Sequence, residues 1–109
     1  MTSEVEAFTF TAPLWRWSAR QESTDPSSWV FLSLPLAVSE EVRVLAGEPR
    51  GFGSVRVHVE AGTSRWDTSV FPDATSACFV LPVKKPVRRA EGVEAGDELT
   101  VTVRVRDQA

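Results

Sequence analysis

The sequence holds one cysteine, Cys78, and one histidine, His58, among 109 residues. A single thiol excludes an internal disulfide, and nothing points to an oxidising compartment. Cys78 lies in the apolar run Ala77-Cys78-Phe79-Val80-Leu81. A buried structural thiol is expected there, because a reactive one needs a nearby base. One histidine and one cysteine fall short of a catalytic zinc site, which takes three protein ligands. The acidic pairs Glu40-Glu41 and Asp97-Glu98 read as a helix start and a turn edge, not as an oxygen-ligand cluster. Gly51-Phe52-Gly53 is too short for a phosphate loop or a dinucleotide fingerprint and lacks the following helix. No metal and no cofactor are therefore expected. No apolar run approaches the roughly 20 residues of a membrane span. Met1 to Glu6 are polar and acidic where a secretory signal would be basic and then apolar, so a cytoplasmic location is expected. A basic surplus is also missing. The 12 Lys and Arg residues face 15 Asp and Glu, a net charge of −3, which counts against nucleic acid as a partner.

What is present is the pattern of one globular domain over residues 1–109, with 42% hydrophobic and 25% charged residues. Most segments alternate with period two, as half-buried strands do. Along 6–17, Phe8, Phe10, Ala12 and Leu14 share one face. Trp15 and Trp17 fall on the other, and Pro13 predicts a bulge or bend between the two sets. Residues 18–27 are polar and read as a loop. A second strand covers Trp29 to Leu34, and both Trp29 and Trp66 are expected to fill the core. Ser39 to Gly47 reads as a short helix with Ser39 as N-cap, Glu40 and Glu41 in the first turn, and Gly47 as its stop. Its apolar stripe is Val38, Val42, Leu45 and Ala46.

Ser54 to Glu60 and Ser64 to Phe71 form a hairpin, with Gly62-Thr63 at the centre of a type II′ turn, which takes glycine first. That turn sets Val59 opposite Trp66, Val57 opposite Thr68, His58 opposite Asp67 and Glu60 opposite Arg65. A slip of one residue would set Val57 against Asp67, so the pattern selects this register. A fifth strand covers 77–82, a helical turn begins at Pro86 and ends at Gly92, and 94–97 is a turn. The last strand, 98–106, faces Leu99, Val101, Val103 and Val105 inward. With no long helix to cover a sheet, six strands with one buried face fold onto themselves. A mainly-β fold follows: a small six-stranded β-barrel with two short helices.

Several stretches, in their order and spacing, resemble the DUF1905 family, a bacterial group of small domains of unknown function. They are Phe8 to Trp15, Trp29 with Leu34-Pro35, Gly51 to Val55, Trp66 with Thr68-Ser69 and Phe71-Pro72, Leu81 to Lys84 with Val87-Arg88, and Gly92 with Gly96-Asp97. The resemblance implies a fold similar to the double-split β-barrel, a superfold shared with swapped-hairpin DNA-binding domains of transition-state regulators and antitoxins. Some relatives are fused to a domain named for bacteriocin protection. One departure stands out. The family pattern carries a basic or neutral polar residue where this chain has Asp67, so chemistry resting on Asp67 would be peculiar to this protein.

Two constellations carry the functional expectations. His58, Asp67 and Ser69 invite a serine triad, but they would sit on the flat outer side of a hairpin with no glycine-rich elbow for an oxyanion hole. Structural pairing is the expectation, and no catalytic residue is assigned. The run Lys84-Lys85-Pro86-Val87-Arg88-Arg89 concentrates positive charge at a helix start, where free N–H groups and arginine forks hold anions. It is either an anion site or a solvated face balanced by Glu91, Glu94 and Asp97. Spacing four puts Lys84 and Arg88 on one side of a turn, and the family pattern also carries both. Read as a site, Lys84 and Arg88 supply charge, Thr68 and Ser69 supply hydroxyls, and Trp15 supplies a surface for stacking. The expected function is non-catalytic binding of a small anionic or planar ligand by a monomer or homodimer. The alternatives are nucleic-acid binding by fold analogy and a protein-interaction or dimerisation module.

Overall fold

A computed structural model describes residues 7–16, 29–47, 53–73 and 76–106. The elements run β1 (Ala7–Arg16), β2 (Val30–Ser33), α1 (Leu36–Ala46), β3 (Val55–Ala61), β4 (Ser64–Asp73), β5 (Cys78–Pro82), α2 (Lys85–Glu91) and β6 (Glu98–Val105). The strands pair in the ring order β1-β2-β5-β4-β3-β6 and close a barrel in which every pairing is antiparallel. This is the six-stranded barrel with two helices that the alternation requires. Its interior is aliphatic: Leu14, Leu32, Val57, Val59, Val70, Leu81, Val101 and Val103 are all at or below 1% exposure. Each such side chain contributes roughly 1.5–3 kcal/mol on leaving water.

The β3–β4 hairpin has the register that its residues select. Val59 pairs with Trp66, His58 with Asp67, Val57 with Thr68 and Glu60 with Arg65. Gly62 takes φ +58° and Thr63 stays at negative φ, as a type II′ turn requires. Trp66 is half-buried and packs on the core.

Strand β1 differs from expectation. Its alternation runs unbroken through Pro13, and the strand changes partner there instead of face. Ala7 to Pro13 pair with β6, and Leu14 to Arg16 pair with β2. Leu14 donates its N–H to Asp97 O (2.8 Å) and accepts from Gly96 N–H (2.8 Å), so the extra residue lies in the 96–97 turn. The N–H that Pro13 lacks would point away from β6, since successive residues of a strand bond to opposite sides. Trp17 and the 18–27 loop lie outside the described residues.

Helix α1 starts earlier than expected, at Leu36 after Pro35. Ser39 is not its N-cap; it is fully buried within the helix. Its Oγ accepts the N–H of Phe79 at 3.0 Å and donates to Leu34 O at 3.4 Å. The backbone of Leu34 reaches the same residue, Leu34 N–H donating to Phe79 O at 2.9 Å. The Ser39 hydroxyl thus extends the β2–β5 ladder one step beyond the end of β2. Glu40 and Glu41 lie outside the first turn, which carries no acidic residue. Val42 is buried and Val38 and Ala46 pack on the core, whereas Leu45 is 44% exposed. Gly47 ends the helix with φ +77°.

Helix α2 begins with Pro86 in its first turn and ends at Gly92 in the left-handed conformation. It is fastened to the β3–β4 hairpin tip. The Glu91 carboxylate accepts the Ser64 hydroxyl at 2.6 Å and the Thr63 hydroxyl at 3.3 Å.

Candidate functional site

The barrel presents two unlike outer surfaces. Across β1, β6, β3 and β4 most outward residues are polar, and many are paired. Thr9 meets Thr102 (2.8 Å) and Thr11 meets Thr100 (2.6 Å) through their hydroxyls. Arg104 binds Glu60 at 3.2 Å. Arg106 and His58 both bind the Asp67 carboxylate, the latter through Nδ1 at 2.7 Å. The His58 hydrogen bond, with help from Arg106, holds the Asp67 carboxyl below its ordinary 3.8. The second ring nitrogen of His58 lies 3.5 Å from Glu60. Both nitrogens therefore face carboxylates, and Ser69 pairs across the ladder with Arg56. This is the structural pairing expected of these residues, and it lacks the hydroxyl contact that a triad needs.

Across the end of β1, β2 and β5 the outward residues are mostly aromatic or apolar. Cross-strand pairing lines up Trp15, Phe31 and Pro82 and sets Val80 beside Phe71. Trp29 and Phe31 stack with centroids 5.9 Å apart and planes 9° from parallel. Trp15 leans on Phe31 at 5.2 Å, held by its indole N–H donating to Ser33 Oγ at 2.9 Å. Trp29 is not a core residue: it is 58% exposed, and Phe71 is 41% exposed. The reason is parity. Val30 and Leu32 take the inward positions of β2 and Leu34 continues them, so Trp29 and Phe31 must point out. Cys78 shares the outward parity of Val80 and is half-buried, not buried as expected.

Two concavities flank Trp29. The larger, about 580 Å³, is lined by Trp15, Trp29, Phe31, Phe71, Pro72, Asp73 and Val80. The smaller, about 280 Å³, is lined by Trp29, Val30, Pro82, Val83, Lys84, Lys85 and Arg88. Together they match the size of small-ligand clefts, which run from about 300 to 1,000 Å³. In the larger one, the Asp73 carboxylate accepts the Ser76 hydroxyl at 3.1 Å.

The structure brings Lys84 and Arg88 to one cavity, with Lys85, and Trp15 to its neighbour. It does not bring Thr68 or Ser69 to either. Consecutive residues of a strand face opposite sides, so Thr68 follows Trp66 and Val70 toward the core while Ser69 faces out beside Arg56. The basic corner is also not uniformly free. Lys84, Lys85 and Arg89 are exposed, but Arg88 is 3% exposed and donates from Nη1 to Val83 O at 2.7 Å. Of the three acids expected to balance the run, Glu94 approaches Arg88 at 3.8 Å, Asp97 caps the Glu94 N–H at 2.9 Å, and Glu91 binds the hairpin. The helix start offers little to an anion. Val87 and Arg88 N–H both turn back to Lys84 O, and Pro86 has no N–H.

Trp29 and Phe71 are the residues that sequence reasoning missed. The signal was there in Trp29-Val30-Phe31-Leu32-Ser33-Leu34, where one alternate set is wholly aliphatic and the other partly aromatic. Among the described residues, no group of three His, Cys, Asp or Glu gathers to hold a metal ion, and no helix is long and apolar enough to cross a membrane.

These features define a small closed antiparallel barrel with an aromatic and basic concavity on one outer wall and a salt-linked polar surface on the other. A family model described as "Domain of unknown function (DUF1905)" matches residues 10–103, and the chain belongs to that family. A comparison with curated proteins finds no match.

Proposed function

We propose that this barrel is a binding domain that holds, without transforming it, a small ligand with a flat aromatic body and an anionic head. The body lies on Trp29 and in the Trp15–Phe31–Phe71 groove, and the head reaches Lys84 and Lys85 in the adjoining pocket. The observation that carries this reading is Trp29, an exposed indole forming a wall of both cavities. Among the described residues, neither cavity wall carries a hydroxyl or a carboxamide side chain. The aromatic faces of Trp15, Trp29 and Phe31 beside Lys84 and Lys85 suit a compact aromatic acid.

The test is calorimetric titration of the chain with 2-naphthoate. Stacking on an aromatic side chain is worth about 1–3 kcal/mol, so Trp29→Ala weakens binding about 5- to 150-fold. A Lys84→Ala, Lys85→Ala double variant weakens it a few-fold and flattens its salt dependence, because exposed charges are screened. Absence of binding at millimolar naphthoate, or full affinity in Trp29→Ala, refutes the proposal.

The dimerisation alternative draws no support from an unpaired edge, since each strand pairs on both sides. Nucleic-acid binding would rest on fold analogy against a net charge of −3.

A further inference from the structure

Arg88 is the one buried charged residue among those described, and its hydrogen bonding is incomplete. Nη1 is committed to Val83 O. Nε is shut off from water and has no acceptor among the described residues. The nearest carboxylate, Glu94, stands 3.8 Å away, beyond hydrogen-bond range, on a side chain that is 71% exposed. Buried polar groups are nearly always paired, and a charged one left unpaired in a fold asks for a reason. Arg88 also forms part of the wall of the pocket that carries Lys84, Lys85 and Trp29.

We propose that Arg88 is the residue that selects the ligand's anionic head, with Glu94 as a weak internal competitor for the same guanidinium. With Nη1 fixed on Val83, the edge formed by Nε and Nη2 remains. That edge carries two parallel N–H groups, the fork that takes a carboxylate or a phosphate side-on, and its Nε stays sealed from water until a neighbouring side chain moves aside. Glu94 points at this edge but does not close on it. Its exposed side chain swings away to water when an anion enters, at little cost, because no hydrogen bond holds it to Arg88. Lys84 and Lys85, both exposed, attract the anion without fixing its orientation; Arg88, immobilised by burial, supplies the orientation. This inference rests on the ligand site proposed above and adds its specificity-determining residue.

The experiment compares 2-naphthoate, 2-naphthyl phosphate and the neutral 2-naphthamide on the whole chain and on three variants. In the wild type the acids bind about tenfold or more tighter than the amide, as expected for a charge-assisted pair. Glu94→Gln removes the competitor and tightens the acids about threefold without moving the amide. Arg88→Lys keeps the charge but loses the fork, and brings the acid-to-amide ratio down to about threefold or less. The tighter of naphthoate and naphthyl phosphate identifies the head as carboxylate or phosphate, and either satisfies the proposal. An acid-to-amide ratio unchanged in both Glu94→Gln and Arg88→Lys overturns the role of Arg88. If Trp29→Ala still weakens every probe in that case, the planar-ligand reading survives alone. If no probe binds the wild type, both fall. Should Arg88→Lys fail to fold, Glu94→Gln decides by itself, since it alters an exposed side chain.

Discussion

Replacing Ser39 separates two accounts of helix α1. If Ser39 were an N-cap, Ser39→Asp would be neutral or stabilising, because aspartate caps as well as serine and favours the positive end of the helix dipole. In the structure Ser39 is fully buried, and its Oγ is the acceptor for the Phe79 N–H. Ser39→Ala leaves that N–H buried without a partner, which costs about 1–3 kcal/mol. Ser39→Asp puts a carboxylate at a position fully closed to solvent and against the Leu34 carbonyl, at a cost of several kcal/mol. The order of stability is therefore wild type, then Ala, then Asp. At roughly 5 °C per kcal/mol for a domain of this size, Ala melts about 5–15 °C below wild type and Asp lower still. Urea unfolding followed by circular dichroism checks the ranking through the midpoints. Amide hydrogen exchange at Phe79 checks the cause: it accelerates in Ser39→Ala more than at neighbouring β5 positions. An Asp variant as stable as wild type, or unchanged Phe79 exchange in the Ala variant, would refute the role of Ser39 as a ladder extension.

Two further predictions concern the hairpin. Gly62→Ala forces a Cβ into a left-handed φ and into collision with the Glu91 carboxylate. The loss is about 2–3 kcal/mol, made of roughly 1–2 for the backbone and about 1 for the displaced Ser64 bond; a melting temperature within 2 °C of wild type, on the order of the scale above, contradicts it. Asp67 has a folded-state pKa held below its ordinary 3.8 by His58 and Arg106. Its contribution is therefore complete above about pH 4–5 and drains away as pH falls through the lowered value. Melting curves of wild type and Asp67→Asn from pH 7 down to pH 2 differ at neutral pH and converge in acid; parallel curves across that range would rule the linkage out.

The hairpin was legible because three local rules agree on it. Gly62 fixes the turn, valines mark one face of β3, and opposite charges meet only in one register. The last strand was legible for the same reason. Strand β2 was legible as a strand, but its facing was not, because Trp29 and Phe31 are as apolar as the residues that fill the barrel. Period two sorts the two faces without saying which is inside when both are apolar. Trp29, the centre of the candidate site, was lost to that ambiguity. Ser39 was misread because a serine ahead of two glutamates has the local signature of a helix start, whereas its role is set by Phe79, forty residues away. The basic corner was found by charge alone. Charge does not reveal that Arg88 is buried under its own turn while Lys84 four residues earlier is not.

The pairing of Ala7 through Pro13 with Glu98 through Arg104 has a consequence for how the chain reaches its fold. During synthesis the first strand leaves the ribosome with one of its two neighbours not yet made. Ala7 and its partner Arg104 are separated by almost the whole chain, so ring closure is a late event and the longest loop must be ordered before it is rewarded. Until then β1 has an open side carrying Phe8 and Phe10, which is the exposure that invites misassembly in crowded conditions.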